Sequence, residues 1–539
     1  MDEKPKPSLT PNIAKAGGIM AASLFLSRIL GIVRDIIITA VFGQDIITDA
    51  YRISFQIPDL LFYLVAGGAL SSAFIPVFTE YLTTDREDDA WHIFSAVASI
   101  MSVALIVFIS GAWIFAPQLT ELIAGNKDPS IYPTIIYLSR IVLPAQFAFF
   151  IGGLLFGTLY ARQVFTVPGL GPNIYNIGII IGALVISAFV TPSIAGLSWG
   201  ALVGAFLGNI VVPLYAMKKL GARFKFTLDT KHEGVRKVFR LMAPVVLGLS
   251  LPGVFGMIMQ YFATYYPDGV NSAYDLGNKL MQAPLGVFGQ AMAIAAFPAL
   301  SQFFAQGKMD MFQSQLSKTI RTVIFLALPI SAIFFAIPNE IIAGLMQFGK
   351  FDAEDTLRTA PVLQAFAIGI TGWCLQPVIM RAFFSVQKPV PPIVIGTIMT
   401  GVFGGTAWLT VIATKQSNYV WLPYMGSVAA LVLAGALMIY VQKIVGKIDL
   451  AGIWQTLGKG VVAAAVSGGF IWFAYEAAHK FNLTGNKLGD VITLLIFGLM
   501  AAWVYFFAAR AMKMPETAYL DRVFKRMSPA KESSDEPKS

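Results

Sequence analysis

Two stretches of this chain share one pattern: DAYRISFQIPDLLFYLVAGGALSSAFIPVF at residues 49–78 and SAYDLGNKLMQAPLGVFGQAMAIAAFPALS at residues 272–301. An Ala-Tyr pair near the start and an Ala-Phe pair further on recur with an offset of 223 residues. A second resemblance, between LYARQVFTVP at 159–168 and FFSVQKPVPP at 383–392, has an offset of 224. Nearly equal offsets at two distant places indicate that the chain contains an internal duplication.

The composition places this duplicated chain in a membrane. Hydrophobic residues make up 56% of the 539 residues, charged residues make up 13%, and the mean hydropathy is +0.69. A soluble domain has about 25% charged residues. Repeated apolar runs of about 20 residues are each long enough to cross a bilayer, where a helix satisfies the backbone of such a run. We therefore expect an all-α polytopic membrane protein.

Fourteen transmembrane helices are predicted from these runs. They cover residues 17–42, 49–82, 90–116, 132–160, 168–190, 195–217, 235–263, 271–305, 312–337, 356–385, 391–413, 419–442, 453–477 and 487–512. Spans 2, 8 and 10 exceed the bilayer thickness, so bends or protrusions are expected in them. Pro58 and Gly67-Gly68 in span 2 and Pro284 in span 8 are the expected bend points.

The distribution of Lys and Arg predicts the orientation. With the N-terminus in the cytoplasm, 28 of the 39 cations fall in inner segments, six in outer loops and five within spans. Both termini are therefore predicted to be cytoplasmic. The same bias accounts for the net charge of +9 without a nucleic-acid partner.

The duplication maps spans 1–6 onto spans 7–12. Six helices per repeat keep the same orientation, so two pseudo-symmetric six-helix lobes are expected around an axis along the membrane normal, with a substrate site between them. This arrangement favours a transporter over a plain membrane scaffold. The predicted organisation is a cytoplasmic N-terminus (1–16), an N-lobe (17–217), a basic cytoplasmic linker (218–234), a C-lobe (235–442), two additional C-terminal helices (453–512) and a cytoplasmic tail (513–539).

Span 1 carries three charges in the stretch SRILGIVRDIII (27–38): Arg28, Arg34 and Asp35. Each would cost about 2.5–3.5 kcal/mol at mid-bilayer in contact with lipid, so they are expected to face a polar interior. Arg34 lies about 100° round the helix from Asp35, and Asp35 cannot satisfy both arginines through local geometry. At least one guanidinium is therefore predicted to face a cavity, where its planar fork suits a phosphate group.

Two other cations within the spans leave alternatives open. Lys279 in span 8 either forms a local pair with Asp275, four residues earlier, or lines the cavity. Arg140 in span 4 either extends to the interface or lines the cavity.

Span 2 contains one further cation and two acids. Arg52 follows Asp49 by three residues near the outer end of the span, which favours an interfacial ion pair between them. Asp59 is placed to pair with an arginine of span 1. All three residues remain candidates for the polar interior.

Sequence motifs for catalysis or metal binding are missing. The single cysteine, Cys374, lies in an apolar run, and the three histidines fall at helix ends or in loops. The sequence contains no phosphate-binding loop, His-Glu-x-x-His or nucleophile elbow. We predict no cofactor and no metal site.

The N-terminal spans resemble the MurJ (MviN) family of the multidrug/oligosaccharidyl-lipid/polysaccharide exporter superfamily. The similar stretches are SRILGIVRD, FGQDIITDAY, IPDLL and GALSSAFIPVF, together with NKLMQAPLGVFGQAMAIAAFPALS in span 8. The resemblance extends over residues 13–512 and implies a flippase of the bacterial cytoplasmic membrane. Such a protein carries lipid II, the undecaprenyl-pyrophosphate-linked peptidoglycan precursor, from the inner to the outer leaflet by alternating access. We expect it to act as a monomer among membrane lipids, without enzymatic activity.

The resemblance also implies roles for individual residues. Its substrate-binding positions fall on Ser27, Arg28, Arg34, Asp35 and Asp49. The pyrophosphate would lie between these residues and Lys279. With Arg52 and Asp59 added from the charge pattern, they form the candidate substrate-binding set. Spans 13 and 14 would form a groove for the prenyl tail.

This chain departs from the family pattern at two places. Many relatives have two arginines where Phe62 and Tyr63 stand here. Many also have Arg and Glu at the positions of Lys279 and Gln282, and Lys lacks the bidentate fork of Arg. Some relatives have a proposed sodium site with acids in spans 7 and 12. Neither span has an interior acid here, so we predict no such site.

Three alternative functions remain open from the sequence: a flippase for another polyprenyl-linked saccharide, a MATE-like drug or cation exporter, and a membrane-embedded glycosyltransferase. Spans 13 and 14 and the arginines count against the exporter. A glycosyltransferase needs carboxylates or a metal at a water-facing surface. The acids of the outer loop PNEIIAGLMQFGKFDAEDTLR (338–358) are interpreted as a solvated face, because no histidine or convergent partner accompanies them.

Overall fold

The computed structural model describes residues 12–65, 69–480 and 487–518, and these ranges contain helices and no strand. The helices of the first half are α1 (Asn12–Phe42), α2 (Ile46–Ser54), α3 (Gln56–Val65), α4 (Ala69–Thr83), α5 (Glu87–Ile114), α6 (Ala116–Ile123), α7 (Tyr132–Val142), α8 (Ala145–Ala161), α9 (Thr166–Leu184), α10 (Ala195–Phe206) and α11 (Val212–Lys219). Those of the second half are α12 (Glu233–Ala263), α13 (Val270–Pro284), α14 (Ala291–Ala305), α15 (Met309–Ala336), α16 (Pro338–Met346), α17 (Ala353–Ser385), α18 (Val390–Trp408), α19 (Trp421–Val445), α20 (Leu450–Lys480) and α21 (Lys487–Ala511).

The apolar runs form membrane-crossing helices. Within the described ranges, 11 helices are long and apolar enough to span a bilayer. This confirms an all-helical membrane protein, because consecutive α-helical hydrogen bonds satisfy the backbone where water is missing. The total of fourteen spans stays a prediction.

The long predicted spans are interrupted. Span 2 is divided into α2, α3 and α4, with Phe55 between α2 and α3 and with Pro58 in the first turn of α3. Gly67-Gly68 lies outside the described residues. In span 8, α13 ends at Pro284 and a π-helical segment follows at 285–290, as expected where proline removes a backbone donor.

A capping box fixes the start of α2, and with it the positions of Asp49 and Arg52. The Asp45 side chain accepts hydrogen bonds from the backbone N–H groups of Ile47 and Thr48. The Thr48 hydroxyl in turn accepts from the Asp45 backbone N–H at 2.8 Å. These contacts satisfy amide groups that a helix start leaves without partners.

The duplication is visible in the backbone as well as in the sequence. Gln163 and Gln387, which the sequence comparison pairs, both have left-handed backbone angles, with φ of 60° and 57°. Gly125 and Gly349, also 224 positions apart, have φ of 59° and 60°. Residues other than glycine rarely adopt a positive φ. The recurrence of positive φ at a constant offset therefore supports the duplication independently of residue identity.

The chain is divided into two compact units. The first comprises Met1–Gly277, Leu345–Thr359 and Gly396–Leu422, and the second comprises Asn278–Gly344, Ala360–Ile395 and Pro423–Ser539. The predicted N-lobe and C-lobe boundaries stay a prediction.

In the first unit, glycines bring α9 and α10 into close contact. A Cβ atom at Gly200 would lie 2.3 Å from the Gly178 carbonyl oxygen, and one at Gly182 would lie 2.4 Å from that of Gly196. Small residues at four-residue spacing let membrane helices approach at backbone distance. This packing holds α9 beside α1, with which it shares polar contacts described below.

In the second unit, α15 and α20 are joined by polar contacts to the residues after α21. Arg321 Nε donates to Glu516 at 2.7 Å and to the Thr456 hydroxyl at 3.0 Å. Arg321 Nη1 lies 3.2 Å from the Asp449 carboxylate. These contacts attach the two additional C-terminal helices to the rest of this unit.

Candidate functional site

Four charged side chains form an ion-pair network in the first unit. Arg34 Nη2 lies 3.1 Å from Asp35 Oδ2. Arg52 Nη1 lies 2.6 Å from Asp275 Oδ2 and 3.7 Å from Asp35 Oδ1. The side chains range from 5% exposed for Asp35 to 20% for Asp275, so each charge needs a partner to offset lost hydration. The charges of these four residues sum to zero.

The network shows which of the two arginines of α1 forms an ion pair with Asp35. Arg34 reaches the neighbouring Asp35 carboxylate with both Nε and Nη2, in spite of the 100° step around the helix. The second guanidinium near Asp35 belongs to Arg52 of α2, and Arg28 is exposed. Arg28 is therefore the span 1 arginine presented to its surroundings.

Arg52 and Asp49 have separate partners. The predicted interfacial ion pair between these two residues is wrong. Arg52 is bound to Asp275, and Asp49 is bound to Lys127. A three-residue spacing permits a local pair worth only a few tenths of a kcal/mol. Tertiary partners in a buried setting outweigh it.

Asn176 on α9 is a polar contact that the sequence reasoning missed. Its side-chain oxygen accepts from Arg34 Nη1 at 2.9 Å. Its amide nitrogen donates to the Ser27 carbonyl at 3.1 Å and to the Ser27 hydroxyl at 3.3 Å. One amide thus fixes Ser27 and Arg34 in relation to each other. Asn173 and Asn176, three residues apart in an apolar helix, were the available signal.

A second cluster joins residues of the two sequence repeats at the end of α1 and the start of α2. Asp49, which is 0% exposed, accepts from Lys127 Nζ at 3.0 Å, from the Gly269 N–H at 2.9 Å, and from the N–H and hydroxyl of Ser272, both at 2.9 Å. Lys127 also binds Asp268 at 2.9 Å. We call Asp49, Lys127, Asp268, Gly269 and Ser272 the outer latch, because the charge bias predicts this end to be outside.

Further hydrogen bonds close the same end of α1. The Lys350 backbone N–H donates to the Ala40 carbonyl at 2.8 Å. The Gln44 side chain donates to the Thr359 hydroxyl at 3.0 Å, and Arg358 donates to the Gln44 carbonyl at 3.1 Å. Residues of the first repeat are thus bonded to residues of the second at several places near the latch.

Residues at equivalent positions of the two repeats contact each other. Asp49 and Ser272 are separated by 223 positions, the offset of the duplication. Arg52 and Asp275, separated by the same number, form the 2.6 Å ion pair. Both the latch and the ion-pair network thus join equivalent residues of α2 and α13, which is the arrangement expected close to a two-fold axis.

The remaining candidate residues are placed as follows. Ser27 is half-buried and bound to Asn176, and Asp59 is exposed on α3. Lys279 is half-buried and belongs to the second unit. Phe62, which replaces a family arginine, packs against Phe150 with ring centroids 5.8 Å apart. The side chain of Tyr63 is outside the described set.

Neither Arg140 nor the acids of the outer loop add to the network. Arg140 lies over the Trp113 ring at 4.4 Å and donates to the Trp113 carbonyl. Glu354 and Asp355 both bind Arg358, with side chains 81% and 9% exposed. The interpretation of a solvated face therefore holds for Glu354 and is wrong for Asp355. Among the described residues, no group of three or more His, Cys, Asp or Glu side chains could hold a metal ion.

Comparison with known proteins identifies relatives over nearly the whole chain. The model of the lipid II flippase MurJ family matches residues 38–488. The lipid II flippase MurJ of Burkholderia cenocepacia is 27% identical over 517 residues, which cover 92% of this chain and 96% of the relative. A probable lipid II flippase MurJ of Bdellovibrio bacteriovorus is 28% identical over 502 residues, with 92% and 94% covered.

Solved structures share the fold. A lipid II flippase MurJ in an inward closed conformation superimposes with a TM-score of 0.73 at 20% identity, over 94% of this chain and 99% of that one. An inward-facing multidrug resistance transporter of the MATE family, from the MOP superfamily, has a TM-score of 0.64 at 12% identity, with 79% and 98% covered.

The outer latch predicts unequal effects for two Asp-to-Asn substitutions. Asp49→Asn leaves Lys127, 3% exposed, with one carboxylate instead of two. Because breaking a buried ion pair costs about 3–5 kcal/mol, we expect a clear fall in the melting temperature of the purified protein. The matched control is Asp268→Asn, whose side chain is 53% exposed and whose pair is worth at most about 1 kcal/mol. Equal melting temperatures for the two variants would contradict the assignment.

Proposed function

Because this chain belongs to the lipid II flippase MurJ family, we propose that it carries lipid II from the inner to the outer leaflet of the bacterial cytoplasmic membrane by alternating access. It is a membrane transporter and not an enzyme, in keeping with the names of the family and its relatives. The observation that carries the proposed mechanism is the neutral network of Arg34, Asp35, Arg52 and Asp275.

The proposed architecture has two six-helix lobes, fourteen spans and both termini in the cytoplasm. Contacts between equivalent positions of the repeats, such as Asp49 with Ser272, support a two-fold relation between the lobes. The excess of Lys and Arg in the predicted inner segments supports the orientation. The substrate site lies between the lobes, as in other transporters built from parallel repeats.

Pyrophosphate binding is proposed to begin at Arg28. This arginine is exposed, so its guanidinium is available to a phosphate without first giving up a carboxylate. Arg34 and Arg52 already bind Asp35 and Asp275. Arg34 uses Nε, Nη1 and Nη2 for Asp35 and Asn176, and Arg52 uses Nη1 for Asp275, so a pyrophosphate that takes these nitrogens replaces the oxygens they bind.

This exchange links substrate binding to a change of conformation. Arg52 lies on α2 and Asp275 on α13, and the pair holds these helices together near the pseudo-two-fold axis. A phosphate that draws Arg52 away from Asp275 weakens that contact. Asp49 acts through the outer latch, whose hydrogen bonds must break before the outer end opens. Lys279, Ser27 and Asp59 complete the proposed head-group site.

The two additional helices are proposed to bind the prenyl tail. Large apolar side chains are exposed on α20 and α21, among them Phe473 at 69%, Leu499 at 65% and Phe507 at 60%. Such a surface suits a long hydrocarbon chain, although it also suits bulk lipid. These helices fall outside the sequence repeat, so the six-helix lobes do not need them.

Complementation tests the proposed function. In a strain depleted of its own lipid II flippase, the parent protein is expected to restore growth, whereas Arg28→Ala and Arg34→Ala are expected to fail because the pyrophosphate loses a cation. Arg140→Ala is the control, since this arginine binds Trp113 instead of the network. Immunoblots of membrane fractions check that each variant is present. Failure of a well-produced parent, or full rescue by Arg34→Ala, would contradict the proposal.

The same assay tests position 279. Lys279→Arg is expected to restore growth, because it keeps the positive charge, whereas Lys279→Ala is expected to fail.

A double-mutant cycle tests the Arg52–Asp275 pair. Arg52→Gln and Asp275→Asn are each expected to lower the thermal stability of the purified protein, since each leaves a partly buried charge without its main partner. The double variant is expected to be more stable than the sum predicts, with a coupling of about 0.5–3 kcal/mol. Arg52→Gln combined with Asp229→Asn, which lies in a different contact, is expected to be additive. Additivity in both cycles would show that the pair contributes nothing.

A further inference from the structure

The segment between α11 and α12 has no regular secondary structure and is fixed to α5 by hydrogen bonds from its backbone N–H groups. The Lys225 N–H donates to the Ser95 hydroxyl at 3.1 Å, and the Thr227 N–H donates to the Ser99 hydroxyl at 3.2 Å. Asp229 lies 3.0 Å from His92 Nε2. Residues 223–231, which we call the inner linker, are therefore held along α5 over more than one helical turn.

The inner linker exposes three large apolar side chains. Phe224 is 61% exposed, Phe226 is 62% exposed and Leu228 is 53% exposed. The N–H groups of Lys225 and Thr227, two residues apart, both face α5, as in a strand-like segment, where side chains at alternate positions point to the same side. The three side chains thus form one apolar strip on the surface of the first unit.

The position of Ser95 and Ser99 on α5 gives the depth of this strip. Ser95 lies 19 residues before the end of α5 at Ile114, which is about 30 Å at 1.5 Å per residue. This equals the thickness of the hydrocarbon core of a bilayer. Between them, Val103, Ile106, Val107 and Phe108 are 42–65% exposed, as expected for a lipid-facing surface. The inner linker is therefore level with the boundary between acyl chains and head groups.

Cations surround the strip. Residues 218–240 contain eight Lys and Arg and two acids, and Arg223, Lys225 and Lys231 are exposed. Contact with His92 and the backbone N–H groups of Lys231 and His232 hold the pKa of Asp229 below its usual range. This acid therefore stays charged, but it is committed to α5. Arg223 pairs with Asp88 at 2.6 Å, but the two side chains are 74% and 87% exposed, so this pair is worth at most about 1 kcal/mol and can exchange for a phosphate. With Asp229 held to α5, Lys225 and Lys231 leave the outward-facing charge of the linker positive.

We propose that the inner linker is an interfacial anchor that inserts Phe224, Phe226 and Leu228 into the cytoplasmic leaflet and binds the phosphates of anionic phospholipids through Arg223, Lys225 and Lys231. Apolar side chains at the acyl boundary with cations beside them match the chemistry of an anionic leaflet. A protein partner would need this strip to be in water, whereas α5 places it at membrane depth. The anchor rests on the proposed orientation but not on lipid II transport.

Site-directed spin labelling tests the depth. With Cys374→Ser as background, Phe226→Cys is labelled in the full-length protein reconstituted into vesicles with anionic lipid. Val107→Cys serves as the lipid-facing control and Asp310→Cys as the aqueous control, since both positions are exposed. We expect the label at 226 to be accessible to oxygen, like that at 107, and shielded from a water-soluble nickel chelate. Nickel accessibility equal to that at 310 would overturn the anchor. Shielding from both reagents would show a covering protein, such as a second copy, and would overturn it too.

Lipid selectivity tests the head-group contacts. The triple variant Arg223→Gln, Lys225→Gln, Lys231→Gln is expected to lose preference for spin-labelled phosphatidylglycerol over phosphatidylcholine, by up to about five-fold for each cation. Lys308→Gln, Lys318→Gln, Lys447→Gln removes the same charge from exposed inner positions elsewhere and is expected to change the preference less. Equal losses in the two triple variants would contradict specific binding at the linker. This test does not measure flipping, so its failure leaves the transport proposal standing. Failure of the transport proposal likewise leaves the anchor standing.

Discussion

The constraint on which this structure depends is that charge within an apolar bilayer needs a partner. The chain meets it with ion pairs between the two halves of its own duplication. Arg52 binds Asp275, the residue at the equivalent position of the second repeat. Three residues earlier, Asp49 binds Ser272 in the same relation. Duplication alone makes equivalent sites identical; here the residues at two equivalent positions differ and bind each other.

These complementary contacts hold α2 and α13 together, and in the proposed mechanism they break when the outer end opens. The outer latch is built around one fully buried carboxylate that accepts four hydrogen bonds. The charges of the four network residues nearby sum to zero, so an added anion changes their balance. Arg28 is exposed on α1, the helix that carries Arg34 and Asp35, and it adds a positive charge beside the network. In the proposed mechanism, a pyrophosphate that binds Arg52 replaces the oxygens of Asp275, so substrate binding also releases the contact between α2 and α13.

The sequence alone predicted the class of protein and singled out charged residues that the structure brings together, for physical reasons that can be named. Arg34 and Asp35 stood out because charge is costly in hydrocarbon, and the repeat was readable as a constant offset. The partners of these residues could not be predicted. Asp49 and Arg52 were close in sequence, yet each found a stronger partner in another element. Lys127 was counted with the outer loops, but it is 3% exposed. Asn176 carried no charge to mark it, and its role became visible only where α9 packs against α1.

The most direct test of the central claim is a distance measurement across the latch end. Spin labels at Asn126→Cys and Ser417→Cys, both exposed and in different repeats, report whether the two halves separate there in a Cys374→Ser background. Pulsed electron double resonance on protein in lipid vesicles is expected to show one short distance without substrate. Addition of lipid II is expected to produce a second, longer distance, and Asp49→Asn is expected to raise that population without substrate. A single distance that neither lipid II nor Asp49→Asn alters, in protein that still transports, would contradict the account.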